Sequence, residues 1–364
     1  MGLQKFQKVV ECEKVKRVYI CHTFYHAYIA VVKELNMGRA HFGEADILLS
    51  TMSNDFGALK TRMEKTGVFN AVYMFDEKPD AAFEDVMEYH KDRGNLILNM
   101  IQRFKYTKLL GQKQEEFIPV DLASYDDVYV FCDSDPIGFY LNYKKIFYHA
   151  IEDGLNTCLL CDQARVTNKG AFGLKSFLSK MGLIFIENGY GKYCIDFEVN
   201  DLAANPNPPK NIIEVPREAM FARLSDSDKR IIVSIFLENS EELLRALSEA
   251  KAQKPCVMIL TEPLCELDVR KKLFSDIISE YENDNIVIIK PHPRDVLDYE
   301  KEFPNVIVIK GKFPMEVMND IPNLHINKLV SVITQIDSVK FADETVYLGF
   351  DFLDKYEAPE IHRV

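Results

Sequence analysis

Lys290-Pro291-His292-Pro293 places a cation and an imidazole directly after the apolar run Asn285-Ile286-Val287-Ile288-Ile289. A run of β-branched residues without polar alternation reads as a strand buried on both faces, as in a parallel sheet. The prolines stop that strand and stiffen the turns beyond it. Lys290 and His292 are thus delivered at the C-terminal end of a buried strand, where open α/β sheets keep their ligands. A cation and a proton donor there suit a phosphate. A nearby anion raises the histidine pKa, so the ring can give a proton to a departing phosphate. A strand-end histidine that caps backbone carbonyls is the structural alternative.

Three further groups have the right types and places. Glu152-Asp153-Gly154 follows the apolar run Lys145–Ile151. One carboxylate there can deprotonate a hydroxyl nucleophile, and Gly154 lets a substrate approach the backbone; a charged turn is the plainer reading. Leu329–Thr334 ends in the hydroxyls of Ser331 and Thr334 just before an expected helix over Gln335–Ala342. Amides at such a helix start, with a hydroxyl, form an anion site, and Thr334 can also be the cap. Gly311-Lys312-Phe313-Pro314-Met315-Glu316 is a glycine turn leading into a short helix. Glu316 there can accept hydrogen bonds from ribose hydroxyls, or simply oppose the helix dipole.

These groups need strands and turns to carry them. Strands are expected at Arg17–Cys21, Ala45–Ser50, Ala71–Phe75, Asp127–Phe131 and Lys145–Ile151, with helices at Tyr25–Leu35, Ala82–Gly94 and Leu96–Leu110. The alternation predicts a doubly wound α/β domain. Leu202–Asn211, rich in Pro and Asn, reads as a linker. A second α/β unit follows. Its helices are expected near Asp226–Phe236, Glu241–Ala252, Leu267–Tyr281 and Pro314–Met318, and its strands at Cys256–Leu260, Asn285–Ile289, Val306–Ile309, Lys328–Val332 and Thr345–Leu348. The reading is α/β of GT-B type, two Rossmann-like doubly wound domains facing a cleft. Residues 1–210 form the acceptor-side domain, with 165–210 an insertion or linker; 211–348 bind nucleotide sugar, and 349–364 are a tail.

The chain has 364 residues, 44 basic against 56 acidic, and a net charge of −12. That argues against a general nucleic-acid binder, which needs a basic face to displace counterions. A local basic pocket for one nucleotide stays open. Residues 1–16 lack the apolar core of a secretory signal, and no apolar stretch reaches the roughly 20 residues of a membrane span. The expected location is cytoplasmic, with the inner face of the membrane as a further option. Eight cysteines read as reduced core residues, including the lone Cys158-Leu159-Leu160-Cys161.

Read together, the Glu152 pair, the HP motif and the later hydroxyls resemble the D/E-D/E-G, HP and serine/threonine motifs of bacterial sialyltransferases. The chain resembles glycosyltransferase family 52, the lipooligosaccharide sialyltransferase type, with the capsular polysialyltransferases second. Ile20–His26 and Cys132–Gly138 support the resemblance, whereas Ser331 and Thr334 depart from the common double serine. The resemblance implies an inverting, metal-independent transfer from CMP-sialic acid to a glycan hydroxyl, with no cofactor. It makes Glu152 or Asp153 the base and His292 the acid at the departing phosphate. Lys290, Ser331 and Thr334 would hold the phosphate, and Glu316 the ribose. Pro293, Phe313, Pro314 and Met315 would lie near the cytidine, and Thr261 and Glu262 would line the site. Thr23 and Gly154 would lie in the acceptor or sialic-acid pocket. The partners are then a nucleotide sugar and a glycan acceptor, and the resemblance also hints at a homodimer.

Other signals compete. Asp133-Ser134-Asp135 matches the DxD of metal-bound nucleotide sugars, but Asp226-Ser227-Asp228 repeats the pattern. His22 and His26, four apart, read as packing residues rather than zinc ligands, and His149 as structural. Residues 169–180 (KGAFGLKSFLSK) read as a solvated helix face, with peripheral attachment to a membrane as the alternative. A GT-B transferase using CDP-glycerol or UDP-glucose, a nucleotide-sugar epimerase and a non-catalytic scaffold remain as other functions.

Overall fold

Among the described residues, twelve strands, rich in β-branched and aromatic residues, form two wholly parallel sheets. The first contains β1 (Arg17–Cys21), β2 (Ala45–Ser50), β3 (Ala71–Phe75), β4 (Asp127–Phe131), β5 (Tyr148–Ile151), β6 (Cys194–Val199) and β7 (Ile212–Glu214), in the order β3-β2-β1-β4-β5-β6-β7. The second contains β8 (Cys256–Leu260), β9 (Ile286–Lys290), β10 (Ile307–Val308), β11 (Ile326–Ser331) and β12 (Ala342–Tyr347), in the order β10-β9-β8-β11-β12. This computed structural model describes residues 15–154, 163–204, 209, 211–238 and 240–362. Cys158 and Cys161 lie outside them.

Each sheet reverses its winding direction once. In the first the reversal lies between β1 and β4, and in the second between β8 and β11. At such a switch point two strand ends diverge and leave a crevice at their C-terminal edge. Three inner strands, β1, β2 and β8, are fully buried along their length, on both faces. That explains their continuous apolar sequence, since each Ile or Val so buried contributes about 1.5–3 kcal/mol. The first core gathers Val18, Ile20, Val128, Val130, Tyr148 and Phe197. The second gathers Val257, Ile259, Phe274, Val287, Ile289 and Val330.

The chain divides into two compact units. One comprises the chain up to His22 with Lys33–Ser53 and Met63–Ala222; the other comprises Thr23–Val32, Asn54–Arg62 and Arg223 onward. The expected division at residue 210 is corrected, because β7 pairs with β6 and completes the first sheet. Leu202–Asn211 is therefore a β6–β7 connection and not a linker between units. The expected tail from residue 349 is also corrected: Leu353 is fully buried in the second core. The helix expected over Gln335–Ala342 does not form. Only ten residues join the parallel strands β11 and β12, and Ala342 already opens β12. That length cannot hold a full helix and two turns.

Candidate active site

In the second unit the expected phosphate residues do meet at one sheet edge. Leu260 pairs with Lys290, and Ile259 with Val330, so the ends of β9, β8 and β11 lie side by side. Beyond β9 the backbone amide of His292 donates to Thr261 Oγ1 at 3.2 Å. Thr261 in turn donates its hydroxyl proton to Asp295 at 2.7 Å. Asp295 also accepts from Arg270 at 2.7 Å and from the Tyr299 hydroxyl at 2.8 Å. Arg270 ties the network to the carbonyls of Leu264 and Cys265. Thr261, Arg270, Asp295 and Tyr299 thus fix the loop that carries His292.

His292 Nδ1 accepts from the Arg294 amide at 3.1 Å. That bond assigns the proton of the neutral ring to Nε2 and leaves it available as a donor. Burial, then the Arg294 and Lys290 charges, lower the histidine pKa to about 4. The imidazole is therefore neutral at pH 7, and a phosphate anion beside it would raise its pKa.

Lys290 takes a different post from the one expected. It is buried, its pKa is lowered to about 7 by desolvation, and its ammonium donates to Pro291 O at 2.8 Å and Phe313 O at 3.1 Å. It also lies 4.1 Å from the centre of the Phe313 ring. Lys290 thus fastens the Gly311–Glu316 loop to the end of β9. Phe313 has no exposed surface and Pro314 is buried, so both form the base of that loop rather than a face for a nucleobase. Glu316, half-buried beside Lys290, has its carboxyl pKa raised by burial.

At the switch point a carboxylate occupies the expected anion nest. Glu262 Oε1 accepts from the Thr334 amide at 2.8 Å and the Ile333 amide at 3.2 Å. The Ser331 hydroxyl lies 3.2 Å from the same oxygen and donates to Thr334 O at 2.7 Å. Glu262 is buried and its pKa is raised by desolvation. The nest that the sequence places at a helix start is a turn, pinned by an internal carboxylate from the end of β8.

In the first unit the two candidate bases part company. Glu152 is buried, and its Oε1 accepts from the Asn200 amide at 2.6 Å, joining the ends of β5 and β6. Asp153 is exposed and within hydrogen-bonding reach of the Cys132 thiol. Burial first, then the Asp153 charge, raise that thiol well above its ordinary pKa, so it is a donor and not a thiolate. Cys132 adopts φ 56°, a strained left-handed turn at the end of β4. Asp135 stands nearby, its pKa raised to about 6 by burial, with His22 opposing and Glu77 and Asp153 adding to the shift.

The Asp133–Asp135 pair does not present two open carboxylates. Asp133 is buried, accepting from the Tyr148 hydroxyl at 2.9 Å and the Asn188 amide at 2.8 Å, with its pKa raised to about 7 by desolvation. Asp135-Pro136 instead starts helix Pro136–Lys144. Gly138 is required there, since a Cβ would meet the Asp133 carbonyl at 1.9 Å.

His22, at the end of β1, bonds Glu77 at 2.8 Å and lies 3.5 Å from Asp135. Glu77 also accepts from Ser50 at 2.8 Å and the Ile137 amide at 2.7 Å. Desolvation alone would lower the His22 pKa, but Glu77 overrides it and raises the value to about 9. Thr23 Oγ1 accepts from the His26 amide at 3.1 Å. Gly154 follows Asp153 and is half-buried. His149, within β5, bonds Asp196 of β6 at 2.9 Å. Glu77, Arg270, Asp295 and Tyr299 escaped sequence reasoning. Only Asp295 had a local signal, as an acid three residues after the HP histidine.

Two wholly parallel α/β sheets, each with one winding reversal and ionisable side chains at its strand ends, make the fold one of GT-B type. The chain belongs to glycosyltransferase family 52, whose model matches residues 70–345, and it is accordingly a glycosyltransferase. Among curated proteins, an uncharacterized protein of Haemophilus influenzae is 36% identical over 80 residues, 21% of this chain. That match spans 26% of the relative's length. Among solved structures, the chain is similar to the GT-B domain of a sialyltransferase from Photobacterium damselae. Identity there is 14% over 89% of this chain and 88% of that one, with a TM-score of 0.49. For an alpha/beta-galactoside alpha-2,3-sialyltransferase of Photobacterium phosphoreum the values are 13%, 92%, 90% and 0.49. For a UDP-N-acetylglucosamine 2-epimerase of Rickettsia bellii they are 12%, 87%, 74% and 0.42.

Proposed function

We propose that this glycosyltransferase moves sialic acid from CMP-sialic acid to a hydroxyl of a lipooligosaccharide or capsular glycan, with inversion and without a metal. Asp153 takes the proton of the acceptor hydroxyl as its oxygen bonds to the anomeric carbon. The bond from that carbon to the CMP phosphate breaks, and the phosphate leaves with the electron pair. His292 donates to that phosphate from Nε2. A single departing phosphate needs few positive groups, so a donor imidazole serves in place of a metal cation. The observation that carries the reading is the split of the acidic pair. Glu152 is buried with one oxygen on the Asn200 amide, while Asp153 is exposed at a strand end beside the Cys132 thiol.

Membership of family 52 supports the transfer of a glycosyl group, and the neutral His292 with its proton on Nε2 supports a phosphate partner. The test is a turnover panel in EDTA with CMP-sialic acid, CDP-glycerol, UDP-glucose and UDP-N-acetylglucosamine. The expected result is acceptor-dependent CMP release from CMP-sialic acid alone. Turnover of another donor in its place, conversion of a UDP-sugar without acceptor, or manganese-dependent activity would overturn the reading.

A further inference from the structure

Two stretches of the first unit contain no carboxylate in a chain where acidic residues outnumber basic ones 56 to 44. Residues 93–113 carry Arg93, Arg103, Lys105, Lys108 and Lys113, and residues 163–186 carry Arg165, Lys169, Lys175 and Lys180. Both fold as helices, Leu96–Lys113 and Phe172–Lys180. Their inner faces share one satellite core: Met100 and Phe104 from the first, and Phe172 and Leu178 from the second, pack on Ala164, Ile184, Ile186 and Tyr190. Arg103 joins them by donating to Asn168 and to the Phe185 carbonyl.

The outer faces are unusual. Ile97 is 71% exposed, and Ile101, Lys105 and Lys108 follow it at helical spacing along the same exposed stripe. On the second helix Phe177 is 59% exposed, flanked by Leu174, Lys180 and Met181. Asp92, at Asn99, and Asp85, at Lys113, border the first helix, but neither helix carries a carboxylate of its own. Large exposed apolar residues on helices whose only charged side chains are cations, on a protein of net charge −12, are the complement of one surface. We propose that this face docks the protein on an anionic lipid bilayer. Ile97, Ile101, Phe177 and Met181 enter the headgroup layer, and Lys105, Lys108 and Lys180 meet lipid phosphates. No described helix is long and apolar enough to cross a membrane, so the attachment is peripheral. It is independent of which donor the enzyme uses.

The test is flotation of the full chain with phosphatidylcholine vesicles, with and without phosphatidylglycerol. Binding is expected only to the anionic vesicles and weakens as salt rises. Each cation near such a surface contributes about fivefold. K108E/K180E should therefore lower partitioning by about tenfold or more, and F177D should lower it comparably. Both variants should keep the wild-type melt and the wild-type rate on a water-soluble acceptor. Equal binding to neutral vesicles, no binding, or binding retained by both variants would overturn the proposal. So would a concentration-dependent dimer in light scattering that F177D dissolves, since a second copy would then be what covers this face.

Discussion

Removing the Glu77 carboxylate should uncouple His22 from the first sheet. Glu77 is 1% exposed and joins the end of β1 through His22, the end of β2 through Ser50, and the start of helix Pro136–Lys144 through the Ile137 amide. The raised His22 value, from 6.5 to about 9, is worth about 3 kcal/mol. Because the folded value lies above the unfolded one, this stability is fully present below pH 6.5 and is lost as pH rises through 9. The lowered Glu77 value acts oppositely, giving stability that is lost only as pH falls through the carboxylate range. In Glu77→Gln the histidine keeps its desolvation and loses its nearer, hydrogen-bonded counterion, with the half-buried Asp135 left 3.5 Å away. A broken buried pair costs about 3–5 kcal/mol, in line with the linkage figure. Imidazole NMR should show His22 charged up to about pH 9 in the wild type and neutral near pH 6.5 in the variant. The first unit of the wild type should also melt at a lower temperature at pH 9 than at pH 6.5, with the variant flat over that window. A wild-type His22 that titrates at or below 6.5, or a variant with an unchanged melt and pH slope, would refute this reasoning.

Other side chains give further expectations. Asp153→Asn should lower kcat by about a hundredfold or more, as loss of a general base does. Glu152→Gln should stay within several-fold in rate while losing about 1 kcal/mol of stability; rate assays beside denaturant melts decide between them, and a reversed pattern makes Glu152 the base. Lys290→Met should remove a pH dependence. The folded lysine, at about 7, lies below its ordinary 10.5, so the wild type gains stability between those values as pH rises. Melts of the second unit should show that gain in the wild type and not in the variant. Glu262→Ala should strand the Ile333 and Thr334 amides, costing about 1–3 kcal/mol for each one buried, and hydrogen exchange at those two amides should speed up.

Much of the sheet structure is legible in the chain. Arg17–Cys21, Ala45–Ser50, Ala71–Phe75, Asp127–Phe131 and Cys256–Leu260 match the observed strands, and β1, β2 and β8 among them are near-continuous apolar runs because a parallel strand buried on two faces favours that. β6 is hidden by its own chemistry. Cys194–Val199 carries Asp196 and Glu198, which look exposed in sequence but find His149, Lys33 and Arg217 in space. The placing of His292 and the acidic pair just after strand ends is also legible, since the apolar runs before them mark the strands. Their division of labour is not. That Glu152 is spent on Asn200, or Lys290 on Phe313, depends on partners 48 and 23 residues away. Local spacing carries no trace of either. Ser331 and Thr334 are read correctly as falling at and just after a strand end, since Ser331 closes β11. The helix expected after them fails because β12 begins too soon.

The central claim rests on His292 assisting the departure of a phosphate. The most direct measurement is single-turnover release of CMP from CMP-sialic acid, with acceptor and EDTA present, by the wild type and by His292→Ala. The account predicts a rate reduced by about a hundredfold or more, with CMP affinity within a few-fold and an unchanged melt. A variant that releases CMP at the wild-type rate would contradict it.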